Sequence, residues 1–154
     1  MDNNDLKVVD RLMKKGRSTW AELGELLNLS APSAADRVHK LEQTGVIKGY
    51  FAAINPEAVG CGLAALISVI IEDSEQRSNI LKKIDELPEI LECHHVAGDV
   101  DYILKARCNS TKDLERLISM ELKAFPGIKT RSMVILSTIK ETPILPLKVG
   151  SSSK

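Results

Sequence analysis

Aromatic side chains are scarce in this chain, at 3% of 154 residues. A sheet that stacks single-stranded RNA bases needs exposed rings on neighbouring strands, so that kind of binding surface is excluded. Cysteine is equally sparse. Cys61, Cys93 and Cys108 are odd in number and widely spaced, which excludes a disulfide framework and predicts free, mostly buried thiols. The longest apolar run, Leu63 to Ile71, falls far short of the roughly 20 residues of a membrane span. Charge of one sign is missing too: 21 basic residues balance 21 acidic ones, so there is no net field to hold a polyanion, and a single copy is expected to bind one poorly. The start, MDNNDLK, has no basic-then-apolar pattern, and the expected location is the cytoplasm. No Ser/His/Asp order, paired acid motif or phosphate loop occurs, so neither an enzyme nor a cofactor is expected.

What is present is an ordinary soluble balance, 44% hydrophobic against 27% charged, enough to build one domain or two small ones. Residues Asn4 to Lys15 carry Leu6, Val9, Leu12 and Met13 on one side, with Asp5 near the start and Lys14 and Lys15 before Gly16, which predicts a helix well placed in its own dipole. Thr19 and Glu22 form a capping-box pattern, and Leu23, Leu26 and Leu27 supply the apolar face of a second, short helix. Asn28 enters the left-handed region cheaply and allows a sharp turn. The third helix, Ser30 to Gly45, has a capping Ser30, Pro32 in the first turn, a left-handed stop at Gly45, and Ala34, Val38 and Leu41 as its buried side. Ser33, Asp36, Arg37 and Lys40 point elsewhere.

Helix, tight turn, helix at this spacing predicts a helix-turn-helix, whose steep crossing needs a small residue in the second helix, here Gly24. A helical subdomain that packs on a partner protein fits the same pattern. Gly24 is the awkward point, because Ala would serve a close contact without glycine's helix penalty of about 1 kcal/mol.

Val46 to Ile54 reads as a turn and a short strand ended by Asn55-Pro56. From Leu63 the period changes. LAALISVII, a helix with Ile80, Ile84 and Leu87 after a cap at Asp73 or Ser74, ILECHHVA, the strand Tyr102 to Arg107, a helix started by Ser110 and Asp113 with Leu114, Leu117, Ile118, Leu122 and Phe125, and RSMVILSTI give the order βαββαβ. The predicted class is α+β: a three-helix, winged-helix-like helix-turn-helix, then a ferredoxin-like βαββαβ sandwich with both helices on one sheet face. The expected boundaries are 1–49, a linker strand and hinge at 50–60, 61–142, and a loose tail at 143–154. A sheet covered on one face should alternate, yet Leu66, Ile67, Val69, Ile70 and Ile71, like Met133 to Leu136, are nearly continuous. The second face is therefore expected to be buried by another copy, giving a two-fold dimer.

Four stretches, TWAELGELLNLS, RVHKLEQTGVIKGYFAAINPEAVG, ECHHVAGDVDYILKAR and FPGIKTRSMVILSTIKET, make the chain from Asp5 to Leu147 resemble the leucine-responsive and asparagine-responsive (Lrp/AsnC, feast/famine) transcriptional regulators. The resemblance implies a regulator that binds double-stranded DNA, a C-terminal domain that forms dimers and higher oligomers, commonly octamers, and a small amino-acid effector bound between dimers. Carried over, Ser30, Ser33, Asp36, Arg37 and Lys40 lie on the recognition helix. Arg37 is the foremost DNA-binding candidate, since its planar fork suits guanine or phosphate; the competing reading pairs it with Asp36, Glu42 or an interdomain carboxylate. Lys40 suits a phosphate, Ser33 a base or the backbone, Asp36 either Arg37 or cytosine. His39 is expected to be a solvated neighbour. The effector region resembles Gly98, Asp99, Val100, Asp101 and Tyr102, faced by Met133, Val134 and Ile135 and by Glu121; the bland alternative is a structural turn. Glu121 departs from the leucine-responsive members, which carry a small hydroxyl residue there, and so favours a polar or basic effector.

Two rivals remain. Cys93 and His95 can share one side of a strand while His94 cannot, which leaves a metal site incomplete, and none is expected. Relatives of the same two-domain layout resemble sirohaem decarboxylases, for which only His39, His94 and His95 would be available. An effector-independent DNA-organising scaffold is the third alternative.

Overall fold

The computed structural model describes residues 1–149; the expected end of the tail, Gly150 to Lys154, lies outside the described residues. Two compact units divide the chain. One holds residues 1–53 with the segment from 140 onward, the other residues 54–139.

The first unit has three helices, α1 (Asn3–Lys14), α2 (Trp20–Leu27) and α3 (Ala31–Gln43). α1 starts one residue earlier than predicted because Asp2 caps it: Asp2 and Asp5 exchange side-chain to backbone bonds of 2.8 Å in both directions. Val8, outside the predicted stripe, is wholly buried, since Val8 and Leu12 are four apart and turn together toward α2 and α3. Val8, Leu23, Leu27, Ala34, Val38 and Leu41 form the core. Burying an aliphatic side chain the size of Leu23 contributes about 1.5–3 kcal/mol, so this small cluster supplies most of what holds the helices together.

The turn resolves the Gly24 question. Asn28 takes φ 55° and ψ 45°, and its left-handed step folds the chain back so that Leu29 N–H donates to the Gly24 carbonyl at 2.9 Å. A Cβ at Gly24 would stand 2.7 Å from the Leu29 carbonyl oxygen and 3.3 Å from the Ala31 nitrogen. Alanine does not fit there. Gly45, at φ 72°, ends α3 as expected. The linker strand is not formed: residues 46–54 pair with no strand among the described residues, and a strand needs a ladder partner. Tyr50 is fixed instead by its hydroxyl, which donates to Glu42 at 2.9 Å. In the tail, Leu145 N–H donates to the Met13 sulfur at 3.5 Å.

The second unit follows the predicted βαββαβ order. β1 (Leu63–Ile71), α4 (Arg77–Glu86), β2 (Ile90–His95), β3 (Tyr102–Cys108), α5 (Thr111–Arg116) and β4 (Ile128–Ile135) build one antiparallel sheet ordered β2-β3-β1-β4. α4 is introduced by a 3₁₀ turn, Ser74–Gln76, capped by Asp73. Ala65, Ile67, Val69 and Ile71 of β1 meet Ile80, Ile84, Leu114, Leu117 and Leu122 from the helices. α5 does not run on as a regular helix. It passes into a π-helical turn over Leu117–Leu122, where Lys123 N–H reaches back five residues to the Ile118 carbonyl at 2.9 Å. Five residues on an α-helix would turn Leu122 well away from Leu117, whereas the wider turn brings both fully into the core.

The sheet's other face carries Ala64, Leu66, Ser68 and Ile70 of β1 beside Lys105, Arg107, Arg131 and Met133 of the flanking strands. Met133 is 50% exposed. The three thiols are free, but Cys108 is buried, Cys61 only partly, and Cys93 exposed, which corrects the expectation of mostly buried cysteines. Cys93 is exposed because β2 is an edge strand.

Gly24→Ala is expected to lower unfolding free energy by roughly 1–3 kcal/mol despite alanine's better helix propensity, because the clash is with backbone that cannot give way. Urea unfolding followed by the fluorescence of Trp20 measures it, and a stabilised variant would contradict the close approach.

Candidate functional site

The polar residues of α3 fan out from one side of its buried stripe. Taking Ala34 as the centre of the buried side and about 100° per residue, Ser33, Lys40 and Asp36 fall about 100°, 120° and 160° away, and all three are exposed. Ser30 caps the helix: its hydroxyl accepts from Ser33 N–H at 3.3 Å and lies 2.9 Å from the Ser33 hydroxyl. The face that can meet a groove is thus Ser33, Asp36 and Lys40, with Ser30 at its entrance. His39 is exposed and meets the edge of Trp20, ring centroids 5.8 Å apart.

Arg37 is placed otherwise. It lies only about 60° from Ala34, on the flank toward α1. Its Nη1 donates to Asp2 at 2.8 Å and to Asp5 at 2.7 Å. The partners are neither Asp36 nor Glu42 nor a carboxylate of the other unit. A cavity of about 480 Å³ beside them is lined by Met1, Asp2, Asp5, Asp36, Arg37 and Lys40. Asp2 is held below the ordinary carboxylate range, first by the Asp5 N–H and then by Arg37, and the two carboxylates push Arg37 upward.

In the second unit, the turn from Gly98 to Tyr102 is built tightly into the sheet. Asp101 Oδ2 accepts from Ile71 N–H at 2.8 Å and Oδ1 meets Arg77 of α4 at 3.3 Å, so both oxygens have partners within the chain. The Ile71 N–H and then Arg77 depress its pKa. Tyr102 is buried, its hydroxyl accepts from Arg77 at 3.0 Å, and its ring stacks on His95 at 4.9 Å. Asp99 is exposed. Glu121 stands on the helical side, paired with Lys83 at 2.7 Å and Arg116 at 2.9 Å. Its charge is matched twice over.

These residues are not brought together by one chain. Tyr102 pairs with Val69, whereas Met133 pairs with Leu66 and Ile135 with Ala64, on the opposite side of β1 and toward its other end. Met133 and Ile135 also face away from the helices that carry Glu121, with Val134 on the alternate face. His94 and His95 diverge likewise, His94 lying 3.1 Å from Glu92 and His95 on Tyr102. Among the described residues no three His, Cys, Asp or Glu side chains converge on a metal-sized site.

The family model described as the Lrp/AsnC ligand binding domain matches residues 64–145, and the winged helix-turn-helix DNA-binding model matches residues 1–48. The chain belongs to the Lrp/AsnC family. The HTH-type transcriptional regulator LrpA of Mycobacterium tuberculosis is 36% identical over 138 residues, 90% of this chain and 91% of that protein. A transcriptional regulator of Neisseria meningitidis, solved in complex with L-methionine, superposes with a TM-score of 0.88 at 31% identity, covering 95% of this chain and 96% of its own. The feast or famine regulatory protein of M. tuberculosis complexed with L-methionine gives 0.84 at 35% identity, covering 91% and 95%.

In this Lrp/AsnC chain the residues missed by sequence reasoning are Asp2 and Arg77. Asp2-x-x-Asp5 was legible as a capping box, but its tie to a residue 35 positions away was not. Arg77 gave no local signal at all; only the packing of α4 on the sheet sets it beside Asp101. No described helix is long and apolar enough to cross a membrane.

Glu22, which bonds Lys15 and the Thr19 N–H, is pulled down from 4.5 to about 2, and Asp2, Asp101 and Glu121 also lie low. A carboxyl depressed on folding stabilises the native state above its unfolded pKa and loses that contribution as pH falls through the folded one. The melting temperature should therefore drop as pH goes from 4.5 toward about 2, and Glu22→Gln should flatten part of the drop. Thermal scans across that range decide it; an unchanged profile in the variant would dismiss the Glu22 contribution.

Proposed function

We propose that the protein is a sequence-specific DNA-binding transcriptional regulator whose assembly or DNA affinity responds to a small amino acid. The observation that carries this reading is the turn between α2 and α3: left-handed Asn28 and the close approach of Gly24 to Leu29 fold α3 tightly back on α2, with Ser33, Asp36 and Lys40 exposed along one side. Ser30 orients the helix start and Lys40 takes a phosphate. Residues 1–49 read DNA, 61–142 bind ligand and assemble, and 50–60 form the hinge. The relatives named as transcriptional regulators support the same reading.

A neutral molecule needs repetition to hold DNA, and the sheet face bearing Leu66, Ile70 and half-exposed Met133 suits a second copy, presenting two α3 helices across a two-fold axis. Higher assembly follows from joining such dimers, to the octamer expected of the family. An effector site made by Gly98 to Tyr102, Glu121 and Met133 to Ile135 then has to be completed between copies, because one chain separates these residues. Since Glu121 is neutralised by Lys83 and Arg116, an uncharged amino acid is the favoured class, as in the relatives solved with L-methionine.

Genome-wide DNA selection with the purified protein, repeated with each amino acid, is the test. The expected result is a roughly two-fold-symmetric motif whose recovery changes with at least one uncharged amino acid, and Lys40→Ala should weaken binding and reduce the salt slope by about 0.9 for each phosphate left without its lysine. Recovery of no enriched motif would overturn the reading.

A further inference from the structure

Arg37 stands at the centre of α3, at the edge of its exposed face, with its side chain 31% exposed. Its position, about 60° from Ala34, sets it midway between Leu41 of the core and Ser33 of the exposed face, about 40° from each. Its Nη1 is shared by two carboxylates, and those carboxylates are the capping box that begins α1. The charged groups around the cavity at this point, the Met1 ammonium, Arg37 and Lys40 against Asp2, Asp5 and Asp36, balance, so the cluster offers a phosphate no net attraction. The Asp5 partner is the better shielded of the two, 17% exposed against 56% for Asp2.

We infer that Arg37 is a positioning residue for DNA recognition: it acts through Asp2 and Asp5 of α1, fixing the start of that helix against α3, and makes no contact with DNA. The inference rests on the proposed DNA-binding function but assigns Arg37 a different part in it from holding a base or phosphate. The consequence runs along one chain of packed residues. The Asp2 to Asp5 box fastens the first turn of α1 to Arg37, Val8 one turn further on is buried against α2 and α3, and the three-helix core sets the direction in which Ser33, Asp36 and Lys40 face outward. Losing the clamp leaves the outward residues intact but misaligns them together.

The test compares Arg37→Met, Asp5→Asn and the double variant with the full-length protein, using the DNA recovered by selection, at a temperature well below melting and over a series of salt concentrations. Each single variant is expected to weaken binding by about tenfold, the double variant no more than either single one, and the salt slope to stay unchanged. A slope reduced by about 0.9 in Arg37→Met, or tighter binding by Asp5→Asn, would mean that Arg37 touches phosphate and would overturn the inference. Should Asp5→Asn fail to fold, Asp2→Asn removes one charge of the clamp while keeping a capping oxygen. Hydrogen exchange without DNA separates this claim from the function itself: Arg37→Met should speed exchange in the first half of α1 and leave α2 unchanged, and unaltered α1 protection would overturn it even if DNA binding is never found.

Discussion

The crossing of α2 and α3 depends on the missing side chain at Gly24. The carbonyl of Leu29 occupies the space that a Cβ would take, and that approach is possible only because Asn28 turns left-handed between them. Capping at Thr19 and Ser30 defines where the two helices begin, but caps do not set an angle; the backbone contact does. Everything exposed on α3 inherits its direction from this one close approach. Glycine's helix penalty of about 1 kcal/mol is the smaller cost, since an alanine here would have to displace backbone.

Electrostatics in the first unit serve geometry more than attraction. With acids and bases balanced over the whole chain, and with Arg37 committed to Asp2 and Asp5, α3 offers little net charge to a polyanion. Exposed ion pairs of this kind add little stability singly, but one guanidinium nitrogen shared by two carboxylates restricts how the start of α1 lies against α3. Charge is used the same way in the sandwich, where Asp101 ties the end of β1 to α4 through Ile71 and Arg77, and Glu121 ties α4 to the turn after α5 through Lys83 and Arg116. The carboxylates that a ligand could have used are already holding the scaffold.

Local pattern was enough for the order of elements. The caps at Thr19, Ser30 and Ser110, the left-handed Asn28, and the alternation of Tyr102, Leu104 and Ala106 all act within a few residues, so each was legible without knowing what lay opposite. The linker strand failed because a strand needs a ladder partner, and Val46 to Ile54 contains only the β-favouring residues, not the partner. Val8 was missed because the apolar stripe of α1 is broad enough to be centred one residue either way. The π-helical turn at Leu117–Leu122 escaped because the pattern of apolar residues there also suits a regular helix, and the choice between them is made by what the core requires.

The sequence by itself determined the fold class, the caps and the turn, since these arise from side chains acting on their own backbone. Tertiary structure alone decided the partners of the charged residues. Arg37, Asp101 and Glu121 were read as candidates for DNA or ligand, Arg37 also as the partner of a carboxylate and Asp101 also as part of a structural turn, and each has a partner that local sequence did not name: Asp2 and Asp5, Ile71 and Arg77, Lys83 and Arg116. The physical reason is range. Helix and turn preferences are written into adjacent residues, whereas a long charged side chain takes whichever opposite charge the packed chain brings within about 3 Å, and no local pattern names it.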